Sequence, residues 1–556
     1  MSPDSIETVQ PRKRPSYRAD EAGLALPMPA LEACFAPLIL ALAGLFVLVG
    51  AASRDLGSED ALVGLAAGDT MGPLGQVYGS WRPELWPARV AVCALTSRLV
   101  EDGRSWPGSV LWPGALAAAA IGWLMAHRLA SRASVGAGLL FGLTWFGCVG
   151  VIDHSGGSGL DFLSGLAIVG ALDRLMRKGS DTVAGLWCSA ALLLGGWPPL
   201  AIVLLAVIVL GRAEANFSWR LLLPSGLALA GWTAWTLGAA SPEALAAGLV
   251  YPFTEKPDWT LALRVMALGL PFAPVALPGL LRSGRASWPD STRNFVIGWV
   301  QVCLACLIAG TIVPGLAGAA RVPALAGILI VAAVTLDSAA SRRIAGRGRK
   351  WFLGLTFGIA ACWLMLVLYG ETFCLVVAPF YRTVGIVVLV LSGAAATLGW
   401  QALRRSNTRR AVVTLALVAV ALKLGHWGVF VPEWNYRVGQ GPWGRAIGQW
   451  LLPNWPIYTL HPWPTELGFA IGNPIRQLST PRHLSYHCEG GQSQHVLLLE
   501  SQFEHWPDDA PSLRKVAEFQ DRSGARRILA RTEGLLLTPS GAIFPDKEIA
   551  PRPRAE

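Results

Sequence analysis

The sequence predicts a polytopic α-helical membrane protein that ends in a small α/β domain outside the membrane. Three observations support this prediction. Of the 556 residues, 53% are hydrophobic and only 15% are charged, which is typical of a chain whose apolar segments face lipid. Apolar runs of roughly 17 to 25 residues, the length that crosses a bilayer, recur between residues 31 and 430. Beyond residue 430, Asp, Glu, Gln, His and Pro return.

One of the apolar runs allows two interpretations. The other predicted spans cover residues 33–52, 108–126, 135–152, 160–176, 221–240, 262–281, 294–313, 322–339, 351–369, 383–400 and 411–430. The remaining run at 183–211, "VAGLWCSAALLLGGWPPLAIVLLAVIVLG", is either one long helix or two short helices hinged at Trp197, Pro198 and Pro199. The number of membrane crossings depends on this run.

The distribution of Lys and Arg decides between the two interpretations, because basic residues in short loops stay on the cytoplasmic side of a membrane. Basic residues occupy the amino-terminal tail and the short loops that contain Arg128, Arg174, Arg212, Arg282, Arg343 and Arg404. A single helix would put the later basic loops outside, whereas a hinge puts every basic loop inside. The hinge therefore predicts about thirteen membrane segments, an inside amino terminus and an outside carboxyl terminus.

This topology divides the chain into three regions. Residues 1–30 form a cytoplasmic tail, residues 31–430 form the transmembrane domain and residues 431–556 form an extracytoplasmic domain. A cleaved signal peptide is the alternative interpretation of the first span, because "GAAS" resembles a cleavage site. That span exceeds the usual apolar signal core of about 7 to 15 residues and follows a long tail, so an anchor is favoured. We expect an integral protein of the plasma (inner) membrane.

The carboxyl-terminal region shows patterns of both strands and helix. The short apolar runs in "PIYTL", "HVLLLES" and "RRILARTE" predict strands, and the spacing in "PSLRKVAEFQD" predicts a helix. A region of about 125 residues can bury a modest core of its own. We therefore predict a small α/β domain.

Composition and motifs exclude several other classes of protein. The formal net charge of +10 lies mostly in the predicted cytoplasmic loops, where insertion and anionic lipid explain it, so no nucleic-acid partner is predicted. The sequence contains no phosphate-binding loop, no dinucleotide fingerprint and no H-E-x-x-H or G-x-S-x-G motif. Cys303 and Cys306 form a C-x-x-C pair within a span but have no second ligand pair, which indicates packing and no zinc site.

Acidic residues collect on the predicted outer face. Glu59 and Asp60 follow the first span, and Asp161 opens a later one. A carboxylate just outside a span is usually a solvated loop charge. In the predicted topology, two separate outer loops supply these three carboxylates to the same face.

Four other ionisable residues near the outer face have simpler interpretations. Asp153 and His154 lie together in an outer loop, where a single histidine is usually exposed, although a ligand or proton-shuttle role is the alternative. Lys423 and His426 lie near the outer end of the last span. Lys423 is expected to extend to the interface, since an ionisable group in lipid is costly.

The order of these features resembles the GT-C superfamily of polyprenyl-phosphate-sugar glycosyltransferases, in the branch that holds protein O-mannosyltransferases and lipid A aminoarabinose transferases. "SEDALVGLAAGD", with Glu59 and Asp60, is similar to the acidic pair of the family's first outer loop, and "RPELW", with Arg82, is similar to its basic patch. Asp161 in "GLDFLSGLAIVGAL" resembles the family's outer aspartate. Arg321 in "RVPALAGILIVAA" stands where the family has a basic residue, and "GGWPPL" resembles its hinge.

The resemblance implies transfer of a sugar, with inversion, from a polyprenyl-phosphate donor to a lipid, glycan or protein acceptor at the extracytoplasmic face. Such a reaction needs a base for the acceptor and cations for the departing phosphate. Glu59 or Asp60 is then the catalytic base, and Asp161, Arg82 and Arg321 bind substrate, with the arginines on the phosphate. The implied partners are the donor, the acceptor and membrane lipid.

Two questions about function stay open at the level of sequence. No cofactor and no metal site is assigned, and a divalent metal ion that bridges the phosphate and the carboxylates is the open alternative. A transporter or flippase of a lipid-linked precursor is a second class of function, although transporters usually place charged groups near the midplane of the membrane. A relative that binds lipid-linked sugar without transfer is a third.

Overall fold

The computed structural model describes most of the membrane region and much of the carboxyl-terminal domain. The described residues are 87–98, 108–154, 161–177, 180–210, 219–239, 257–285, 288–376, 379–437, 441–452, 455–460, 465–488, 493–520 and 526–533, with the isolated residues 65, 76–77, 80–81, 242 and 246. The first predicted span and the predicted site residues Glu59, Asp60 and Arg82 lie outside them.

Helices occupy most of the described membrane region. The first are α1 (Pro87–Arg98), α2 (Gly108–Arg132), α3 (Val135–Gly147), α4 (Val149–His154), α5 (Phe162–Met176), α6 (Asp181–Gly195), α7 (Trp197–Val209) and α8 (Trp219–Ala239). They are followed by α9 (Leu261–Leu268), α10 (Ala276–Leu280), α11 (Arg282–Arg285), α12 (Asp290–Ile312), α13 (Ala317–Ala340), α14 (Gly346–Val376), α15 (Arg382–Arg404), α16 (Thr408–Gly425), α17 (Val431–Arg437) and α18 (Gly441–Gly448). Before α1, the short strands β1 (Gln76–Val77) and β2 (Ser80–Trp81) pair antiparallel.

Several of these helices are long and apolar enough to cross a membrane. The described residues contain six such helices, or seven if the bent pair Leu261–Leu268 and Ala273–Leu280 is one span. The segment predicted as a span at 262–281 is bent, because the two halves of this pair meet at 100°. Pro271 and Pro274 lie at the bend and lack the N–H groups that a continuous helix requires. The chain is an integral membrane protein, and thirteen segments stay a prediction.

The hinge predicted in the run at 183–211 is confirmed. The run forms two helices, α6 and α7, with Gly196 between them. Gly196 has a φ of 82°, in the left-handed region that favours glycine. A tryptophan and two prolines open α7, at positions where a missing N–H costs no hydrogen bond within the helix.

The two short helices run in opposite directions. A Cβ built on Gly195, at the end of α6, would lie 2.9 Å from Ser164 Cβ near the start of α5. Leu210, directly after α7, lies beside Met176 at the end of α5, since both are within 4 Å of a Cβ built on Gly298. The chain therefore reverses at Gly196.

The core of the bundle is built around α13 and the large side chains that pack near it. In the span Pro314–Ala340, 89% of an apolar 18-residue stretch is buried within the protein. Trp145 and Phe141 are fully buried, and their rings stack with centroids 5.9 Å apart. Trp145 Nε1 donates a hydrogen bond of 2.9 Å to the carbonyl of Ala118, so that its polar atom is satisfied inside an apolar environment.

One end of the bundle, termed the basic pole, gathers arginine-rich helix ends. It contains the ends of α2, α5, α13 and α15 and the starts of α3, α12, α14 and α16. Thr292 Oγ1 donates a hydrogen bond of 2.9 Å to the carbonyl of Arg132, and Thr408 Oγ1 donates one of 2.6 Å to the carbonyl of Ala339. These bonds tie helix ends that are far apart in sequence.

The carboxyl-terminal domain contains a mixed five-stranded sheet. Its strands are β3 (Ile457–Thr459), β4 (Ile475–Gln477), β5 (His495–Leu499), β6 (Leu513–Gln520) and β7 (Arg526–Thr532), with α19 (Thr465–Ile471), α20 (Leu484–Cys488) and α21 (Glu500–Glu504) between them. The strand order is β4-β3-β5-β7-β6, with parallel pairs on both sides of β3 and antiparallel pairs on both sides of β7. Neighbouring residues Ile457 and Tyr458 belong to different apolar clusters, so the sheet has a core on each face.

Strands form where "PIYTL", "HVLLLES" and "RRILARTE" predict them, but "PSLRKVAEFQD" contains the strand β6 and the helix prediction is wrong. The register of β6 on β7 shifts between Lys515 and Ala517. This irregularity breaks the two-residue alternation of a regular strand, so that the apolar spacing imitates a helix. Cross-strand pairing with β7 overrides that local pattern.

Candidate functional site

The end of the bundle opposite the basic pole is termed the site pole. There α5, α9 and α13 begin and α4 and α16 end. Two glycines permit close packing beneath it. A Cβ built on Gly165 of α5 would lie 2.6 Å from Val322 Cγ1 of α13, and one built on Gly150 of α4 would lie 2.9 Å from Leu268 Cβ of α9. A larger residue would separate these elements, so the glycines bring the helix ends together.

Asp161 caps α5 at the site pole. Its Oδ1 accepts a hydrogen bond of 3.2 Å from the backbone N–H of Ser164, which is the usual role of an aspartate at a helix start. Its Oδ2 lies 3.9 Å from Nη1 of Arg89 on α1, and both side chains are 23% exposed. One carboxylate thus holds its own helix end and faces a cation from another helix.

A second charged group precedes α9. Asp258 Oδ1 accepts hydrogen bonds of 2.6 Å from Thr260 Oγ1 and 3.1 Å from Thr260 N, and Asp258 Oδ2 lies 3.3 Å from Arg264 Nη1. The hydrogen bonds from Thr260, with the positive charges of Arg264 and Arg321, hold the pKa of the Asp258 carboxyl below its usual value. Arg321, in the first turns of α13, therefore belongs to the same electrostatic environment.

A third charged pair joins the ends of α4 and α16. His426 Nε2 lies 3.0 Å from Asp153 Oδ1, although 273 positions separate the two residues in sequence. The side chain of His426 is 14% exposed and that of Asp153 is 25% exposed. Packing therefore brings these two residues, which the sequence analysis did not connect, into one half-buried pair.

The last membrane helix changes its winding at this pair. Residues His426–Phe430 form a π-helical turn between α16 and α17, a feature often found at functional sites. One turn earlier, Lys423 Nζ lies 4.5 Å from the centroid of the Trp427 ring. A cation and an imidazole are therefore adjacent on the same helix at the site pole.

The described residues include only part of the predicted site. Asp161 and Arg321 both lie at the site pole, on helices that pack together at Gly165 and Val322. Their roles in binding substrate stay predictions, as do those of the predicted residues in the first outer loop. No partner or role is assigned to those loop residues from structure.

The site pole also contains residues that the sequence reasoning missed. Arg89 follows Pro87, a common first residue of a helix, and Asp258 with Thr260 forms a local capping pattern, so both had weak sequence signals. Arg264 lies in an ordinary helical sequence, and no motif there marks it as a functional residue. Only the tertiary structure reveals the contact of His426 with Asp153.

No metal centre is found among the residues that the structure describes. No group of three or more His, Cys, Asp or Glu side chains in this part of the chain is placed to hold a metal ion. Cys303 and Cys306 are buried within α12 as free thiols, with Gly327 of α13 packed against Cys303. Both side chains belong to the apolar core of the bundle.

The site pole gathers cations at one end of the apolar bundle. Arginines from three helices and a lysine from a fourth lie at the end of an apolar bundle, where a polar headgroup would meet its apolar tail. Guanidinium groups suit phosphate oxygens because they donate several hydrogen bonds in a fixed plane. The carboxylates Asp161 and Asp258 orient such guanidiniums, since each faces an arginine.

The fold is similar to that of two solved structures of ArnT. The crystal structure of ArnT from Cupriavidus metallidurans in the apo state aligns with a TM-score of 0.64 and 17% identity over 90% of this chain and 98% of that one. The ArnT structure bound to undecaprenyl phosphate aligns with a TM-score of 0.65 and 17% identity over 89% and 98% of the two chains.

One more distant structure also aligns. The arabinosyltransferase EmbB from Mycobacterium smegmatis gives a TM-score of 0.45 and 12% identity over 90% of this chain and 47% of that one. Neither a protein-family model nor a curated protein sequence matches the chain. At these identities, the likeness to ArnT concerns the fold.

Proposed function

We propose that this protein is a membrane glycosyltransferase that moves a sugar from a polyprenyl-phosphate donor to an acceptor at the extracytoplasmic face, with inversion. The observation that carries the proposal is the group of arginines and carboxylates at one end of an apolar bundle with the ArnT fold. The binding of undecaprenyl phosphate by ArnT supports a polyprenyl-linked lipid as the ligand of this chain.

The proposed reaction is a single displacement at the anomeric carbon. A carboxylate takes the proton of the acceptor, whose nucleophilic atom forms a bond to that carbon. The polyprenyl phosphate leaves from the opposite face with the electron pair of the broken C–O bond. Glu59 or Asp60 is the proposed base, Arg82 and Arg321 are the proposed phosphate ligands, and Asp161 is proposed to bind substrate.

The proposed orientation puts the site pole and residues 431–556 outside and the basic pole in the cytoplasm. The arginine-rich ends of α2, α5 and α15 support this orientation, because short basic loops stay on the cytoplasmic side. An acceptor would then reach the site pole from the aqueous side, and the donor would reach it through the bilayer.

A transfer assay with matched arginine variants tests this proposal. The full chain is purified into lipid vesicles and supplied with radiolabelled polyprenyl-phosphate sugars and a total extract of lipid and protein acceptors. We expect Arg321→Met to reduce transfer by about 10- to 100-fold, the value of one charge-assisted hydrogen bond. Arg409→Met is the control, since Arg409 is exposed at the basic pole and bonds the carbonyl of Ala340.

The proposed base is tested in the same assay. Glu59→Gln and Asp60→Asn preserve side-chain size but remove the carboxylate, so loss of transfer with intact folding is expected for the residue that acts as base. Equal losses in Arg321→Met and Arg409→Met would indicate a general effect on folding. Absence of transfer with every donor would overturn the proposal and favour a transporter, or a relative that binds lipid-linked sugar without transfer.

A further inference from the structure

One hydrogen-bonding atom of His426 has no partner among the residues that the structure describes. Its Nε2 contacts Asp153, but its Nδ1 is buried and has no hydrogen-bond partner among the described residues. Buried polar atoms of folded proteins are nearly always paired with protein, water or ligand. Nδ1 of His426 therefore requires a partner from outside the described residues.

The contact with Asp153 determines what that partner can be. A carboxylate only accepts hydrogen bonds, so His426 Nε2 carries the proton that it donates to Asp153. Nδ1 then accepts a hydrogen bond from a donor if the ring is neutral, and donates one to an acceptor if the ring carries a second proton. The charge of the surroundings decides between a donor and an acceptor.

The surroundings of His426 favour an anionic acceptor. Among the described side chains, the ionisable groups at the site-pole ends of the neighbouring elements are Arg89, Asp153, Asp161, Asp258, Arg264, Arg321, Tyr369, Tyr381, Arg382, Lys423 and Glu433. Lys423 lies three residues before His426 on the same side of α16, with its ammonium group over the Trp427 ring. Asp161 faces Arg89, and Asp258 is bonded by Thr260 and Arg264, so these two carboxylates are already engaged.

We propose that His426 donates a hydrogen bond from Nδ1 to the phosphate of the lipid-linked donor, while Asp153 orients the ring through Nε2. This inference rests on the proposed function and adds a phosphate ligand to it. The π-helical turn that begins at His426 supports the assignment, because it alters the direction of the side chains at the end of the span. His426 and Lys423 then contact the phosphate from the last membrane helix, and Arg321 contacts it from α13.

The assignment predicts that phosphate binding depends on pH. Nδ1 donates only while the ring carries both protons, so affinity falls, by up to about tenfold per unit, once the pH is high enough to remove the second proton. The probe is the methyl ester of undecaprenyl phosphate, a phosphodiester whose own charge does not change between about pH 6 and 8. Its binding to the full chain in phosphatidylcholine nanodiscs is measured across that range.

Two substitutions of His426 separate the two ring nitrogens. His426→Gln preserves a donor near the position of Nε2 but has no group at Nδ1, so we expect binding about tenfold weaker and independent of pH. His426→Asn preserves a donor near the position of Nδ1, so we expect partial recovery of affinity, again without pH dependence. His127→Gln at the basic pole, where the ring of His127 stacks on Trp123, is the matched control and should bind as the wild type does.

Competition identifies the source of the phosphate. We expect neither phosphatidylglycerol nor inorganic phosphate, at the same concentration, to displace the polyprenyl ester, and displacement by either would overturn the assignment to the donor. Wild-type affinity and pH dependence in folded His426→Gln would also overturn it. A loss of transfer with unchanged donor binding in His426→Gln would overturn it as well, because His426 would then act on the acceptor.

The results also separate a failure of this inference from a failure of the proposed function. If the wild type transfers sugar but the binding results differ from those expected, only this inference is wrong. If the wild type neither binds the ester nor transfers sugar, the proposed function is wrong as well.

Discussion

The two poles of the membrane bundle use their charges differently. At the basic pole, Asp173 is only 4% exposed and lies 2.9 Å from Arg128 Nε and 3.3 Å from Arg177 Nε. At the site pole, the shortest distance from Asp161 to Arg89 is 3.9 Å, and both side chains are partly exposed. Asp173 is therefore closely paired within the protein, whereas Asp161 is paired more loosely with Arg89.

This difference separates structural charges from charges that can bind a ligand. A buried carboxylate between two arginines joins helix ends and leaves little capacity for a further partner. A looser pair at a helix end can exchange its partner for a substrate at lower cost, because water already solvates part of it. We expect substitutions at the basic pole to affect mainly stability and those at the site pole to affect mainly activity.

The largest expected effect on stability comes from the buried carboxylate of the basic pole. Asp173→Asn leaves Arg128 and Arg177 without their anionic partner, so we expect the free energy of unfolding to fall by about 3 kcal/mol. Asp161→Asn should change it by less than about 0.5 kcal/mol, because asparagine also caps a helix, yet it should reduce transfer, since the side chain that faces Arg89 no longer carries a negative charge. Thermal unfolding in detergent and the transfer assay compare the two variants.

The opposite pattern would contradict the comparison of the poles. A strongly destabilised Asp161→Asn with normal transfer per folded molecule would make Asp161 a structural cap only. A stable Asp173→Asn would show that the ion pairs at the basic pole contribute little.

A smaller effect is expected from the close packing beneath the site pole. Gly165→Ala would bring a methyl group to 2.6 Å from Val322 Cγ1, so we expect a loss of about 1 to 3 kcal/mol and a reduced transfer rate as α5 and α13 separate. Gly226→Ala is the control, because no atom lies within 4 Å of its Cβ position on α8, and alanine there should be neutral or slightly stabilising. Unfolding midpoints and transfer rates are measured for both variants. Equal stability of the two would mean that Gly165 is not required for this contact.

The smallest expected effect concerns Asp258. Its pKa is lowered in the folded protein, so the stability that it contributes is present above the unfolded value of about 3.9 and is lost as pH falls through the folded value. Asp258→Asn should therefore reduce stability by less than about 1 kcal/mol, by the same amount from about pH 5 to 8. Unfolding of wild type and variant at several pH values in this range measures the difference. A difference that grows across the range would contradict the assignment.

Several features were predictable because they depend on neighbouring residues. The break between α6 and α7 follows from a glycine and two prolines, and Asp161 was expected to open a helix because aspartate commonly caps one. The bend near Pro271 and the strand β6 were not predicted. In β6, the register shift between Lys515 and Ala517 interrupts the two-residue alternation, and pairing with β7 makes the segment a strand.

The sequence by itself determined that the chain lies in a membrane and where its short-range breaks and caps fall, because apolar length and local backbone preferences act within a few residues. It did not determine which ionisable groups meet. Asp153 and His426 form a pair across 273 positions only because α4 and α16 end at the same pole, and Arg264 and Arg321 act on one carboxylate only because α9 and α13 begin there. Such distances depend on how closely helices pack, including the contacts at Gly150 and Gly165, and no local pattern encodes them.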